Sequence, residues 1–500
     1  MEHQTNKLIF KSLGIHTQHE HFAYMREDCH VCVSEGFEAL TRIRITYGKK
    51  SIVASLNVIR SEILQPGEFS LSESAITSLG IKEGETITVS HLNQINSLSY
   101  VRSKIYDNRL TSSELTAIIK DIVQGNYSNI HLAAFITACA GNRMLTEEII
   151  SLTEAMIASG QRIHWGKDMI VDKHCVGGLP GNRTTPIVVS IVTAFGLTMP
   201  KTSSRAITSP AGTADTMEVM TNVNLSLEQI KKVVKEEGGC IVWGGTAKLS
   251  PADDILIKIE KALDIDSEGQ LIASVLSKKV AAGSNHAIID MPVGETAKLR
   301  SIDAANELKV EMEKVAHAIG LKLKVVITDG SQPVGRGIGP ALEARDILSV
   351  LRNETNSPAD LKERALLLAG EILELSGKVE SGDGNDKARE LLECGKAYEK
   401  FIAICKAQGG FNEPNLAKHQ HTIKAEHAGI IVKVDNRKLA KTAKLAGAPE
   451  NKAAGVDFLT PIDTKVEKGQ TLYVIHAESK GELEYALEYY HSQKDILSVQ

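Results

Sequence analysis

Aromatic side chains are scarce in this 500-residue chain: Phe, Tyr and Trp make up 4% of it, with only 2 Trp. Beside 39 Gly and a 42% apolar fraction, that scarcity argues against an aromatic-rich β-sandwich and fits Ala/Ile/Val/Leu-packed α/β layers joined by tight turns. The apolar content also excludes disorder and collagen-like order. Long apolar runs are missing too. The longest, Ile187 to Met199, is interrupted by Ser, Thr and Gly and falls short of the roughly 20 residues that cross a bilayer. The opening MEHQTNKLIF has no apolar stretch ahead of a small-residue cleavage site, so no secretory signal is expected. The 7 Cys are odd in number and thinly spread, the pattern of reduced intracellular thiols rather than of a disulfide framework, and a cytoplasmic protein is expected. A net charge of −5, from 57 basic and 62 acidic residues, gives no whole-chain positive field for a nucleic-acid backbone and favours a small-molecule partner.

The length suggests about three domains. Residues 36 to about 92 read as short alternating apolar stretches, within a β-rich domain over 1–95. At Leu110 the period changes. Thr111 with Glu114 forms a capping-box signature ahead of a helix that Gly125 stops, and a helical lobe is expected over 103–168, joined by roughly 248–282. From Met169 the pattern alternates β and α, predicting a parallel-sheet α/β domain over 169–415, with strands returning in an α+β domain over 420–500. The fold class expected is α/β: a helical lobe plus a parallel-sheet lobe, with an N-terminal β-rich domain and a C-terminal α+β domain.

Three segments carry chemistry. In Asp172 to Thr185 (DKHCVGGLPGNRTT) glycines allow backbone N–H groups close to an anion, a helix start adds its dipole, and Lys173, Arg183 and the threonines add donors. The composition is that of a phosphate cradle, though not a Walker loop. Thr202 to Asp215 (TSSRAITSPAGTAD) crowds more hydroxyls and cations into one loop than a turn needs, which suggests an anionic or hydroxylated ligand. In Asp266 to Lys279, Ser274 and Lys278 lie four apart on one helical face.

Four other features read as structural. Gly335-Arg336-Gly337-Ile338-Gly339 lacks dinucleotide spacing, and Gly382 to Asp386 (GDGND) lacks the calcium-loop terminal Glu. Cys29-x-x-Cys32, with His16, His19 and His21 upstream, is a single pair and falls short of a zinc set; no metal is expected. The 7 Lys/Arg of 418–444 read as a solvated basic face rather than an RNA contact.

Taken together, the three segments resemble the thymidine phosphorylase family of nucleoside phosphorylases. Lys173 to Gly178 correspond to its Lys-His-Ser-x-Gly-Gly loop. Ser203, Arg205, Gly212, Thr213, Asp215 and Glu218 correspond to its second signature, and Ser274 and Lys278 to its base-contact helix. SPAD (250–253), TDGSQPVG (328–335) and VIHA (474–477) agree. The extra N-terminal β domain is similar to the long branch that includes archaeal AMP phosphorylases and bacterial proteins described as putative thymidine phosphorylases. Cys175 stands where shorter members have Ser, and the Tyr and Arg that contact pyrimidine in those members meet aliphatic and charged residues around Ile257 to Lys261.

The resemblance implies phosphorolysis of a nucleoside without a cofactor, inorganic phosphate being co-substrate, by a homodimer or larger homo-oligomer. Phosphate is expected on Lys173, Gly177, Gly178, Thr185, Ser203 and Thr213. Substrate contacts are expected from Ser204, Arg205, Ala206, Ile207, Thr208, Ser209, Ser274, Lys278 and Lys298. His174 and Asp266 are the implied catalytic residues. Thymidine is the first expected substrate and AMP the alternative; a catalytically silent nucleotide- or RNA-binding protein is the reading from another class.

Overall fold

The computed structural model describes residues 6–500 apart from 19, 93, 207–208, 247–248, 266 and 494. The chain divides into two compact units, 1–143 with 254–265 and 144–253 with 266–500.

The first unit begins with a closed barrel of six strands, β1 (Lys7–Phe10), β2 (Phe22–Arg26), β3 (Arg42–Tyr47), β4 (Lys50–Ile59), β5 (Glu68–Leu71) and β6 (Thr86–His91), in the order β1-β5-β2-β4-β3-β6. β1 with β5 and β2 with β4 run parallel; the other neighbours are antiparallel. Alternation in β3 buries Ile43 and Ile45, which join Leu8, Phe10, Met25, Leu56, Phe69 and Ile87 in one core. Closure leaves no open sheet edge. Two short helices, α1 (His30–Glu35) and α2 (Glu73–Leu79), interrupt the strands. Cys29 and Cys32 are buried at the start of α1 within the barrel core, and no group of three or more His, Cys, Asp or Glu placed to hold a metal occurs among the described residues.

Three helices follow, α3 (Leu98–Ile105), α4 (Ser112–Val123) and α5 (Asn129–Cys139). The capping box forms at α4: Thr111 N–H donates to Glu114 Oε2 at 2.8 Å, and Glu114 N–H donates to Thr111 Oγ1 at 3.4 Å. Gly125, at φ +72°, follows the helix end.

The second unit opens with α6 (Thr146–Ser159) and is built on parallel strands β7 (Val171–Cys175), β8 (Met199–Ser203), β9 (Gly239–Trp243), β10 (His286–Val293) and β11 (Lys322–Asp329). β11, β10 and β7 form one sheet and β8 and β9 a second, with an Ile170–Thr198 bridge joining the approaches to β7 and β8. Helices lie between the strands: α7 (Thr184–Ala194), α8 (Thr213–Met220), α9 (Leu227–Glu237), α11 (Glu268–Ala281) and α12 (Ile302–Ala318), then α13 (Pro340–Leu351), α14 (Ala359–Leu375), α15 (Gly384–Glu393) and α16 (Lys396–Gln408), while α10 (Pro251–Leu263) starts here and has most of its length in the 254–265 segment of the first unit.

The longest apolar run of the sequence lies in α7 and the approach to β8. Thr184 to Thr193 are all buried, so this helix is apolar because neighbours surround it. Among the described residues no helix is long and apolar enough to cross a membrane.

The glycines of 335–339 serve a seam. β12 (Gly337–Ile338) pairs with β15 (Gly455–Phe458) in a sheet that continues through β17 (Thr471–Ala477) to β13 (His419–Lys424). A Cβ on Gly337 would lie 2.2 Å from Leu342 C, so the close approach requires glycine. β14 (Gly429–Val434), β16 (Lys465–Val466) and β18 (Leu497–Val499) make a smaller sheet, with α17 (Asn436–Leu445) and α18 (Lys480–Ser492) completing this part. The GDGND turn opens α15, with Glu374 Oε1 accepting from Gly382 N–H and Gly384 N–H.

Candidate active site

The strand period of two sends Lys173 and Cys175 to one face of β7 and Asp172 and His174 to the other. Lys173 is 1% exposed; its Nζ donates to Thr184 Oγ1 at 2.7 Å and stands 3.9 Å from Asp290 Oδ2 on the neighbouring β10. Asp290 is fully buried and accepts from Thr328 Oγ1 at 2.7 Å and Asn182 Nδ2 at 3.1 Å. Burial lowers the Lys173 pKa, with Asp290 opposing. Burial, reinforced by Asp290, pushes the Cys175 thiol up, so it stays protonated and a weak donor.

On the other face Asp172, also fully buried, lies 2.7 Å from Lys279 Nζ and 3.2 Å from Lys201 Nζ. Burial alone would raise this carboxyl, but Lys201 and Lys279 more than offset it and the pKa falls. His174 is driven well below the ordinary imidazole range, first by burial and then by the charges of Lys279, Lys201, Lys278 and Lys173. Lys278 itself pairs with buried Asp253 of the SPAD segment.

Between β7 and α7 the chain turns through Gly177 (φ +131°) and Gly178 (φ +54°). The far end of this turn is pinned to the TDGSQPVG segment by the Gly181–Val334 bridge and by Asn182 N–H donating to Val334 O at 2.9 Å. Lys298 overlies the turn, its Cβ 3.5 Å from where a Cβ on Gly177 would sit.

The hydroxyl-rich loop begins at the end of β8. Ser203 Oγ is buried with no hydrogen-bond partner among the described residues, a costly arrangement for a donor unless a ligand completes it. Arg183 joins the two loops: its Nη1 donates to Thr213 Oγ1 at 3.1 Å, its Nη2 to Ala211 O at 2.8 Å and its Nε to Glu343 Oε2 at 2.6 Å. Arg205 is engaged inside its own loop. It donates to Glu218 at 2.6 and 2.8 Å and to Asp215 at 3.2 Å, and it stacks 5.2 Å from the Trp243 ring centroid. Asp215 Oδ2 in turn accepts from Ala206 N–H at 2.6 Å and Gly212 N–H at 3.0 Å, drawing the loop's two ends together.

Profiles of known families match in three places: the glycosyl transferase family helical bundle domain at 98–160, the glycosyl transferase family a/b domain at 167–398, and the pyrimidine nucleoside phosphorylase C-terminal domain at 430–496. A Hahella chejuensis protein named "Putative thymidine phosphorylase" is 54% identical over 499 residues, covering 100% of this chain and 99% of that protein. A Legionella pneumophila protein of the same name is 55% identical over 490 residues, covering 98% and 95%. The chain belongs to the thymidine phosphorylase family. It is accordingly a glycosyltransferase of the pentosyl-transferring kind. Among solved structures, anthranilate phosphoribosyltransferase from Thermus thermophilus matches 62% of this chain and 98% of its own at TM-score 0.52 and 19% identity, a likeness of fold.

Within this family member, Lys173, Thr184 and Asp290 come together, as do Arg183, Thr213 and Ala211 across the two loops. Thr185 is buried in the first turn of α7, Ser274 is half-buried on α11, and Ser204 and Gly178 are exposed. Ser209 Oγ donates to Ala211 O at 2.9 Å. Ile207, Thr208 and Asp266 lie outside the described residues. Sequence reasoning missed Asp172, Asn182, Lys201, Lys279 and Asp290. The available signal was a charge inside an otherwise apolar strand, as in AIIDMPV and MPKTS.

Proposed function

We propose that this enzyme is a nucleoside phosphorylase that converts thymidine and inorganic phosphate to thymine and 2-deoxy-D-ribose 1-phosphate. Phosphate sits on Lys173, Thr185, Ser203 and Thr213 with the Gly177 and Gly178 amides close by, and a phosphate oxygen attacks C1′ as the bond to the base breaks, with inversion through an oxocarbenium-like state. His174, Ser274 and Lys278 bind or protonate the leaving base, on which negative charge develops, and Asp266 matches the proton donor of the AMP-cleaving branch. The observation that carries this reading is the buried, unpartnered Ser203 hydroxyl at the start of a loop braced by Arg183, Arg205 and Asp215. A dianion supplies the acceptor it lacks.

Thymidine is favoured over AMP because the two cations best placed by sequence to hold a 5′-phosphate, Arg183 and Arg205, are engaged with Glu343 and Glu218. Relatives named for thymidine phosphorolysis support the same choice. The test is paired phosphorolysis of thymidine and AMP by one preparation. Thymidine is expected to win in kcat/KM. An AMP preference above about tenfold, roughly 1.4 kcal/mol in transition-state binding, overturns the substrate. No phosphate-dependent base release from any nucleoside or nucleotide overturns the activity.

A further inference from the structure

His174 shares its face of β7 with Asp172, which is fully buried and clamps two ammonium groups, Lys279 at 2.7 Å and Lys201 at 3.2 Å. Both lysines are at most 6% exposed. One carboxylate against two ammoniums leaves this pocket with a surplus positive charge shielded from water. Lys201 is held further by donating to Thr202 O at 2.8 Å, so the charge does not relax away. The other charged groups around His174 come from every neighbouring element. Lys173 lies on β7 itself, Asp290 on β10 toward the opposite face, Lys278 on α11, and Asp253 at the start of α10 neutralises Lys278. The uncompensated charge is therefore that of the Asp172 cluster.

We propose that Lys201 and Lys279, clamped by Asp172, are positioning residues for His174: they hold its imidazole neutral in the resting enzyme, so that it takes up a proton only when phosphate enters the adjacent cradle. The inference rests on the reading of this site as a phosphate site and adds the source of a proton. A bound dianion reverses the local charge, a proton passes from solvent to one imidazole nitrogen, and the imidazolium then holds it next to the leaving base. No other reactant is needed. The imidazole direction agrees, since burial and these lysines lower the His174 pKa, and burial lowers Lys279 to about 8.

The experiment uses the intact enzyme with inorganic phosphate alone. Binding is followed by calorimetry at about pH 7.5 in buffers of different ionisation enthalpy, which separates binding heat from proton uptake, and labelled histidine reports His174 by NMR. Proton uptake on binding that vanishes in His174→Asn, with the His174 signal moving to its imidazolium position, is expected. In Lys279→Met, Asp172 keeps Lys201 as partner, and the free-enzyme His174 midpoint should rise by about one pH unit or more, a tenfold change in protonation. Lys279→Arg, which keeps the charge, should leave it low. Phosphate binding with no proton uptake, or a His174 midpoint unmoved in folded Lys279→Met, overturns the clamp and leaves the proposed function standing. Failure to bind phosphate overturns both.

Discussion

Lys173 Nζ and Asp290 Oδ2 stand 3.9 Å apart across neighbouring parallel strands, both side chains at 1% exposure or less. That separation is an ion pair without a hydrogen bond. The ammonium's short bond goes to Thr184 instead, which leaves it donors for an arriving anion. Replacing Lys173 with Ala should therefore raise the KM for phosphate by roughly 10- to 150-fold, the equivalent of about 1.5–3 kcal/mol for a charged hydrogen bond. Initial-rate kinetics at varied phosphate will show it, and an unchanged phosphate KM means that the cradle lies elsewhere.

The same pair predicts an asymmetry in stability. Asp290→Ala leaves a buried ammonium with only Thr184 and should destabilise by about 3–5 kcal/mol in denaturant titration. Lys173→Met costs less, because Asp290 keeps donors from Asn182 and Thr328. The reverse ranking contradicts the arrangement.

His174→Ala should lower kcat/KM by about 10²-fold or more while the fold survives, the loss expected for a donor acting on the leaving group. Circular dichroism alongside the kinetics separates that result from unfolding. A fully active variant removes His174 from the chemistry.

Arg205 tests bracing against direct contact. It is bound to Glu218 and Asp215 within one network, so Arg205→Ala and Glu218→Ala should each slacken the 204–212 loop and raise the phosphate KM similarly, and the double variant should add little. Additive losses would instead mark Arg205 as a ligand contact in its own right.

Much of this architecture is legible in the sequence where the period is long enough to register. Thr111 and Glu114 announce α4 because a capping box is local chemistry, satisfied within four residues. Four-residue strands such as Lys7–Phe10 and Glu68–Leu71 escape notice because two alternations do not make a pattern and barrel closure is a non-local property. In the candidate site the glycines and hydroxyls stand out as composition. The carboxylates that organise it do not, because Asp172 and Asp290 gain their meaning from lysines 29, 107 and 117 positions away in the chain, as the residue numbers show. Arg205 stands out in the sequence as a cation in a ligand-like loop, but its partners Glu218 and Asp215 on the helix that follows become visible only in the fold.

Glu218 gives a pH-dependent prediction. Hydrogen bonds from Arg205, and then from Lys452, hold its carboxyl down to about 2 against an ordinary 4.5. A depressed folded-state pKa contributes stability that is fully present above 4.5 and is lost as pH falls toward about 2. Glu218→Gln should therefore be less stable than the parent at neutral pH, with the difference closing across that acidic window. Denaturation midpoints collected against pH measure it, and a gap that stays constant through the window shows that the carboxylate charge is not what the brace uses.

Two glycines of the turn between β7 and α7 separate backbone strain from collision. Gly178 stands at φ +54° with nothing within 4 Å of an added Cβ, so Gly178→Ala meets only the cost of a left-handed side chain, about 1–2 kcal/mol. Gly181, at φ +68°, carries that same strain, but its Cβ would also lie 2.2 Å from Val334 O, the backbone to which the turn is pinned. No rotamer relieves a clash between backbone and Cβ, so the turn must lift away from the Val334 segment and carry Asn182 off Asp290. Gly181→Ala should therefore lose both stability and phosphate affinity, and Gly178→Ala should lose a little stability while keeping its phosphate KM within a few-fold of the parent. Thermal melts and phosphate-dependent kinetics on the pair decide the matter. Equal behaviour of the two variants would mean that the pinning at Val334 is not what shapes the cradle.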